Sequence, residues 1–221
     1  MPDFLLEIGA DEIPSRMIQE ASQELQKRVE ELLTKNSLPY KEVKRAETPR
    51  RLALIVSGIP GTQSDIEEQL TGPATKVAYK DGQPTPAAHA FAKKAGIDVS
   101  KLQTVTTPKG EYLAATVTNK GKPAAQVLAE LLPKEIASIY WSKNMYWRAG
   151  KPERFVRPVR WIVAMLDGEI IPLEFAGIKA GKQSRGHRIL RPEQVSISSP
   201  TQYVEAMQSA HVSVLTSDRE Y

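Results

Sequence analysis

The chain has 221 residues, 41% hydrophobic and 25% charged, with a formal net charge of +4, which suits one full core or two modest ones in an ordinary globular protein. It contains no cysteine and only three histidines, His89, His187 and His211; this excludes disulfides, thiolate zinc sites and a cysteine nucleophile, and leaves little for a transition metal. No window approaches the apolar length of a membrane span, and Met1-Pro2-Asp3-Phe4 lacks the basic start of a signal peptide, so a reducing cytoplasm is the expected setting.

Phe4-Leu5-Leu6-Glu7-Ile8-Gly9 reads as a strand closed by glycine. Pro14 and Ser15 suit the first turn of a helix, with Asp11 and Glu12 complementing its positive end. Ile18, Ala21, Leu25, Val29, Leu32 and Leu33 recur at helical spacing and give it one apolar face, ending near Asn36-Ser37. Strands are predicted at Glu42–Ala46 and Leu52–Val56, separated by Glu47-Thr48-Pro49-Arg50-Arg51. From Gly61 to about Gly82 periodicity is lost, with Gly61-Thr62 and Gly72-Pro73 as turn signals. Pro84 to Ala95 reads as an alanine-rich helix. Pro108-Lys109-Gly110 reads as a hairpin turn between Leu102–Thr106 and Tyr112–Thr118. Lys122-Pro123 opens a helix that carries Val127, Leu128, Leu131 and Leu132 to Pro133.

Trp161–Leu166 reads as a strand buried on both faces. It is joined at Asp167-Gly168 to a second strand, Ile170–Phe175, with Ile171, Leu173 and Phe175 on one side and Pro172 marking an edge or bulge. A helix around Thr201–Ala210 and the stretch Val212–Leu215 follow. The last residues, Ser217–Tyr221, form no closing element and read as a truncated end. The elements predict an α+β fold, mixed or antiparallel sheet layers with helices packed on them. A body of residues 1–61 and 141–221 is expected, with an inserted small α+β module at 62–140.

The positive charge is regional. Residues 143–191 hold 11 Lys+Arg against 4 Asp+Glu, whereas the first 142 residues balance. A regional basic surface is a footprint for polyanions. The candidates for holding a nucleic-acid backbone are Arg50, Arg51, Arg154, Arg157, Arg160, Arg185, His187 and Arg188, because guanidinium forks match phosphate oxygens bidentately. Arg185, His187 and Arg188, around a flexible Gly186, suit phosphate clamping or stacking on an exposed base. The alternative for each arginine is structural: pairing with Glu7, Asp11, Glu12 or Glu174 to fix the fold. Tyr140-Trp141-Ser142-Lys143-Asn144-Met145-Tyr146-Trp147-Arg148 interleaves aromatics with bases, as a stacking platform or as a core edge. No catalytic constellation, dinucleotide fingerprint, phosphate loop or metal set is legible.

Several stretches carry a family resemblance: Leu5-Leu6-Glu7-Ile8-Gly9 with Asp11-Glu12-Ile13-Pro14; Thr48-Pro49-Arg50-Arg51-Leu52; Thr107-Pro108-Lys109-Gly110-Glu111-Tyr112-Leu113; Phe155-Val156-Arg157-Pro158-Val159-Arg160-Trp161; and Arg185-Gly186-His187-Arg188. In this order they resemble the bacterial glycyl-tRNA synthetase β subunit, from residue 5 to the end of the chain. Ala10-Asp11 stands where Thr-Glu is expected, and Tyr146 where arginine is usual. The resemblance implies the N-terminal part of a β subunit in an assembly of two α and two β subunits that charges glycine onto its tRNA using ATP. It implies a region like the B3/B4 domain of the phenylalanyl-tRNA synthetase β subunit. It also implies that the HD-like and anticodon-binding regions lie beyond this chain. The α subunit and glycine tRNA are the implied partners, with ATP and Mg in the α subunit and no cofactor here. The implied role is tRNA binding and subunit organisation without the catalytic centre; the alternative is a scaffold that docks the α subunit or later β domains.

Overall fold

The computed structural model of the chain describes residues 1–80, 83–107 and 110–215. Its first elements are β1 (Phe4–Ala10), α1 (Ser15–Lys35), β2 (Glu42–Thr48), β3 (Arg51–Ser57), β4 (Ile66–Ala74), α2 (Thr75–Ala78), β5 (Tyr79–Lys80) and β6 (Gln83–Pro84). Then come α3 (Pro86–Ala95), β7 (Gln103–Thr107), β8 (Gly110–Asn119), α4 (Ala124–Ala137), β9 (Val159–Leu166) and β10 (Glu169–Ile170). The hairpin β11 (Glu174–Phe175) and β12 (Ile178–Lys179), the pair β13 (Gln183–Arg185) and β14 (Gln194–Ser196), and α5 (Tyr203–Ser209) follow. The fold is α+β, and its strand ladders are antiparallel. No helix among the described residues is long and apolar enough to cross a membrane.

Two compact units emerge, Met1–Gln63 with Lys122–Tyr221, and Ser64–Gly121. In the first, five strands pair in the order β10-β9-β1-β3-β2. Strand periodicity divides the central residues between two faces. Phe4, Leu6, Ile8 and Ala10 of β1, Leu52, Leu54 and Val56 of β3, and Ile162 and Ala164 of β9 share a core with the apolar stripes of α1 and α4. On the opposite face, Leu5, Ala53, Trp161, Val163 and Met165 pack with Ile197, Tyr203, Met207 and Val214. Covering both faces accounts for the continuous apolar run of β9. Helix α1 buries Met17, Ala21, Leu25, Val29, Leu32 and Leu33, and Arg28 ties it to α4 by pairing with both Glu24 and Glu135.

Several expectations need correction. The predicted stop at Pro133 is not one: α4 runs on to Ala137 and buries Ile136, because tertiary burial of its apolar stripe outweighs the cost of an internal proline. The whole of α4 lies in the first unit, so the inserted unit ends at Gly121 rather than near residue 140. Asp11 and Glu12 do not serve the start of α1, whose first turn holds no acid; they pair with arginines elsewhere. Ile170–Phe175 is not one strand. Only Glu169–Ile170 pairs with β9, and Glu174–Phe175 turns back through Ala176-Gly177 onto β12. The predicted alternation survives without the pairing, since Ile171, Leu173 and Phe175 are all buried; Pro172 cannot donate to a ladder.

In the second unit, β4, β8 and β7 form a sheet whose core joins Leu113 and Ala115 to Ala78, Ala88, Phe91 and Ala95. Strand β4 was not predicted. Gly72-Pro73, expected as a turn, is an irregularity within it, where the register with β8 shifts between Thr71 and Ala74. A β-carbon on Gly72 would lie 2.6 Å from the Phe91 ring, so the glycine permits close packing. Strands β7 and β8 pair as expected. The predicted turn residues Pro108 and Lys109, and the ending Ser217–Tyr221, lie outside the described residues.

Candidate functional site

Arg50, Arg51, Arg185, His187 and Arg188 gather where β1, β3 and β9 meet β13. Gly9 pairs with Arg51 on one side and Trp161 on the other, so all three share one row on one face. Next to that row lies Glu7, fully buried. A lone acid in Phe4-Leu5-Leu6-Glu7-Ile8 must find partners when its strand is buried. It accepts from Trp161 Nε1 at 2.5 Å and from Ser184 Oγ at 2.7 and 2.9 Å. Arg51, only 2% exposed, places Nη1 at 3.8 Å from Glu7 Oε1 and donates from Nη2 to the Arg185 carbonyl at 2.7 Å. This buried cluster therefore fixes the backbone from which Gly186, His187 and Arg188 follow.

Above the row, the guanidinium carbons of Arg50, Arg51 and Arg185 lie 5.7, 5.7 and 5.1 Å from the Trp161 ring centroid. An indole face attracts each of them and lets three cations approach one another. Burial, and then the guanidiniums of Arg185, Arg188 and Arg51, hold Arg50 below its ordinary value against the opposing pull of Glu12. Glu12 bridges this group, 3.0 Å from Arg188 and 3.8 Å from Arg50.

The loop beyond β13 is held in shape. A β-carbon on Gly186 would lie 2.4 Å from the Arg191 carbonyl oxygen, so this glycine serves close approach rather than the flexibility expected of it. His187 Nδ1 accepts from the backbone N–H groups of Ile189 and Leu190 at 3.2 and 3.1 Å. In the neutral ring the remaining proton therefore sits on Nε2, as a donor. Arg50, Arg51, His187, Arg188, Ile189 and His211 line a cleft of about 430 Å³ together with Glu12, Pro49 and Val212. His211 was not among the predicted residues; the only sequence signal for it was a helix that ends without glycine.

The other candidates divide. Arg160 forms a two-pronged pair with Asp11, Nε at 3.0 Å and Nη2 at 2.6 Å, and this hydrogen bond holds the Asp11 carboxyl below the usual carboxylate value despite partial burial. Arg157 donates to the Val156 carbonyl at 3.0 Å. Arg154 is exposed and makes no ion pair among the described residues. Neither Arg154 nor Arg157 lines the cleft. In the aromatic stretch, Trp141 is core, edge-on to Phe155 at 4.9 Å, whereas Tyr140 and Tyr146 are 74% and 65% exposed. No group of metal-ligating side chains occurs among the described residues.

Comparison with known proteins points the same way as the motifs. The sequence matches the family described as glycyl-tRNA synthetase beta subunit over residues 4–221. It is 57% identical over 215 residues to the glycine--tRNA ligase beta subunit of Acidobacterium capsulatum, covering 96% of this chain and 30% of that protein. The protein of the same name from Trichodesmium erythraeum is 40% identical over 215 residues, again with 96% of this chain and 30% of the relative. That of Geobacter metallireducens is 40% identical over 206 residues, covering 93% and 30%. The chain spans about 30% of the length of these curated relatives. With its motifs and its whole described fold inside the matched residues, this chain belongs to the glycyl-tRNA synthetase beta subunit family.

Proposed function

We propose that this chain is the N-terminal part of a glycine–tRNA ligase β subunit, and that its basic face helps hold glycine tRNA. The observation that carries this reading is the gathering of Arg50, Arg51 and Arg185 around Trp161, with Arg50 and Arg51 also lining an open cleft beside His187 and Arg188. Such a face suits phosphate oxygens, with bidentate guanidiniums for the backbone and half-satisfied donors ready for anions. Arg154 and Arg157, on the chain leading into β9, are further candidates for RNA contact outside the cleft. Arg51 contributes indirectly, as the buried residue that holds the Arg185 backbone. The glycine-transfer chemistry, with its ATP and Mg, is assigned to an α subunit in a tetramer of two α and two β chains. A region like the B3/B4 domain of the phenylalanyl-tRNA synthetase β subunit, and a cytoplasmic location, belong to the same proposal.

The test is a titration of this chain with glycine tRNA at two salt concentrations, beside an unrelated polyanion of like charge. Binding that exceeds the control and weakens steeply with salt is expected, because each phosphate contact releases counterions. Absence of binding at low salt would overturn the reading. A second reading, a scaffold for the α subunit, is favoured by the exposure of Tyr140 and Tyr146, since aromatic residues are enriched at protein interfaces. It predicts association with the α subunit that changes little with salt.

A further inference from the structure

We propose that the cleft lined by Arg50, His187, Arg188, Ile189 and His211 is a pocket for one unstacked nucleotide, its phosphate on the arginines and its base against the apolar and imidazole walls. The inference rests on the reading that this face meets RNA, and it names what the cleft takes. Its volume of about 430 Å³ lies within the range of small-ligand clefts. The lining is of two kinds. Arg50, Arg188 and the Nε2 side of His187 offer hydrogen-bond donors, while Pro49, Ile189 and Val212 offer apolar surface. Phosphate with a heteroaromatic base is the ligand chemistry that uses both.

Three features of the wall point to a ligand. First, the wall sets three guanidiniums, those of Arg50, Arg51 and Arg188, against a single lining carboxylate, Glu12. Second, Ile189 is 81% exposed, a large aliphatic side chain held at the rim by a loop pinned at both Gly186 and His187. Third, His211 has φ +60°. It ends α5 in a left-handed cap, its N–H donating to the Gln208 carbonyl at 2.9 Å and that of Val212 to the Met207 carbonyl at 2.9 Å. Glycine is the usual residue there, and a side chain in that conformation is strained. The imidazole is thus carried in the cleft wall at the expense of the cap. Glu12, half-exposed between Arg50 and Arg188, stands where an incoming phosphate would compete for the same guanidiniums.

The experiment follows the imidazole NMR signals of this chain, which has three histidines, as adenosine 5′-monophosphate, a single-stranded tetra-adenylate, or inorganic phosphate is added. His187 and His211 are expected to shift and saturate with both nucleotide probes, while His89, which does not line the cleft, serves as the internal reference. His211→Gly suits the left-handed cap, so the variant is expected to fold at least as well and to bind tetra-adenylate about tenfold more weakly, as loss of one stacking contact predicts. Tighter binding of adenosine monophosphate than of tetra-adenylate identifies a free nucleotide as the source; the reverse identifies an RNA end. Inorganic phosphate competing as well as the monophosphate overturns the proposal, as does unchanged tetra-adenylate affinity in His211→Gly. Salt-dependent tRNA binding without any response of His187 and His211 to the nucleotides sinks the pocket alone. Failure of both tRNA and nucleotides to bind sinks the RNA-facing reading with it.

Discussion

Trp161 lies flat across Gly9: a β-carbon at that glycine would sit 1.9 Å from Trp161 Cε2 and 2.0 Å from Cδ2. The indole bridges from β9 over β1 only because the middle strand has no side chain at this point, and it is then in place to donate to Glu7 and to underlie three guanidiniums. Gly9→Ala therefore overpacks the centre of the site. A loss of about 1–3 kcal/mol or more is expected, the scale of forcing extra carbon into a packed core. Urea unfolding at neutral pH measures it, and an unchanged midpoint would refute the packing account.

Glu7 and Arg51 form the buried charge pair of the molecule's second face. Removing one partner leaves the other charged, almost fully buried and without its counter-charge. Glu7→Ala is expected to cost about 3–5 kcal/mol. Replacing both with apolar residues, Glu7→Leu with Arg51→Met, is expected to cost less than the two single losses combined, with a coupling of about 1 kcal/mol or more. A double-mutant cycle on the urea midpoint reads this directly. Strict additivity would mean that Arg51 is held by Ser184, Met207 and the Arg185 carbonyl rather than by Glu7.

Much of this arrangement was legible in the residues. The run Trp161–Leu166 announced a strand covered on both sides, and arginines before and after it had to collect near its ends. The carboxylates Glu7, Asp11 and Glu12 were the natural partners, and each one pairs with an arginine; Glu174 does not among the described residues. What sequence could not supply was depth. Arg50 and Arg51 are neighbours in one motif and both line the cleft, yet one is partly exposed and the other is buried, because the alternation of β3 starts at Arg51. Strand β4 was illegible because Glu67, Glu68, Gly72 and Pro73 break every apolar pattern, and a neighbouring helix supplies the packing that its own residues lack. His211 was invisible because a left-handed histidine follows from the geometry of α5 rather than from any local spacing.

Asp11 and Arg160 make a well-shaped pair at the surface, with half of the arginine side chain and a third of the aspartate exposed. Screening keeps such pairs weak, so Asp11→Asn is expected to cost about 0.2–1 kcal/mol at neutral pH. The folded carboxyl is depressed below its ordinary 3.8. Its contribution is accordingly full above that value and is lost as pH falls through the folded one. Wild type and Asp11→Asn should thus converge in acid. A difference that persists unchanged at low pH would assign the effect to packing instead of charge.

Tyr203 supplies the opposite sign. Burial first, and then the charge of Glu7, push its phenol well above the ordinary 10.0, and the buried hydroxyl completes no hydrogen bond of its own. Above that ordinary value the unfolded chain releases the proton while the folded chain retains it. The raised group therefore contributes fully below pH 10.0, and its contribution drains away as pH climbs toward the folded value, by about 1.4 kcal/mol per unit. Tyr203→Phe removes both the titration and an unpaired polar atom. Its urea midpoint is expected to equal or exceed that of wild type at neutral pH, and to fall less steeply in alkali. Parallel alkaline slopes for the two proteins would show that the phenol ionises freely in the fold, and that the face joining Glu7 to α5 is open to water.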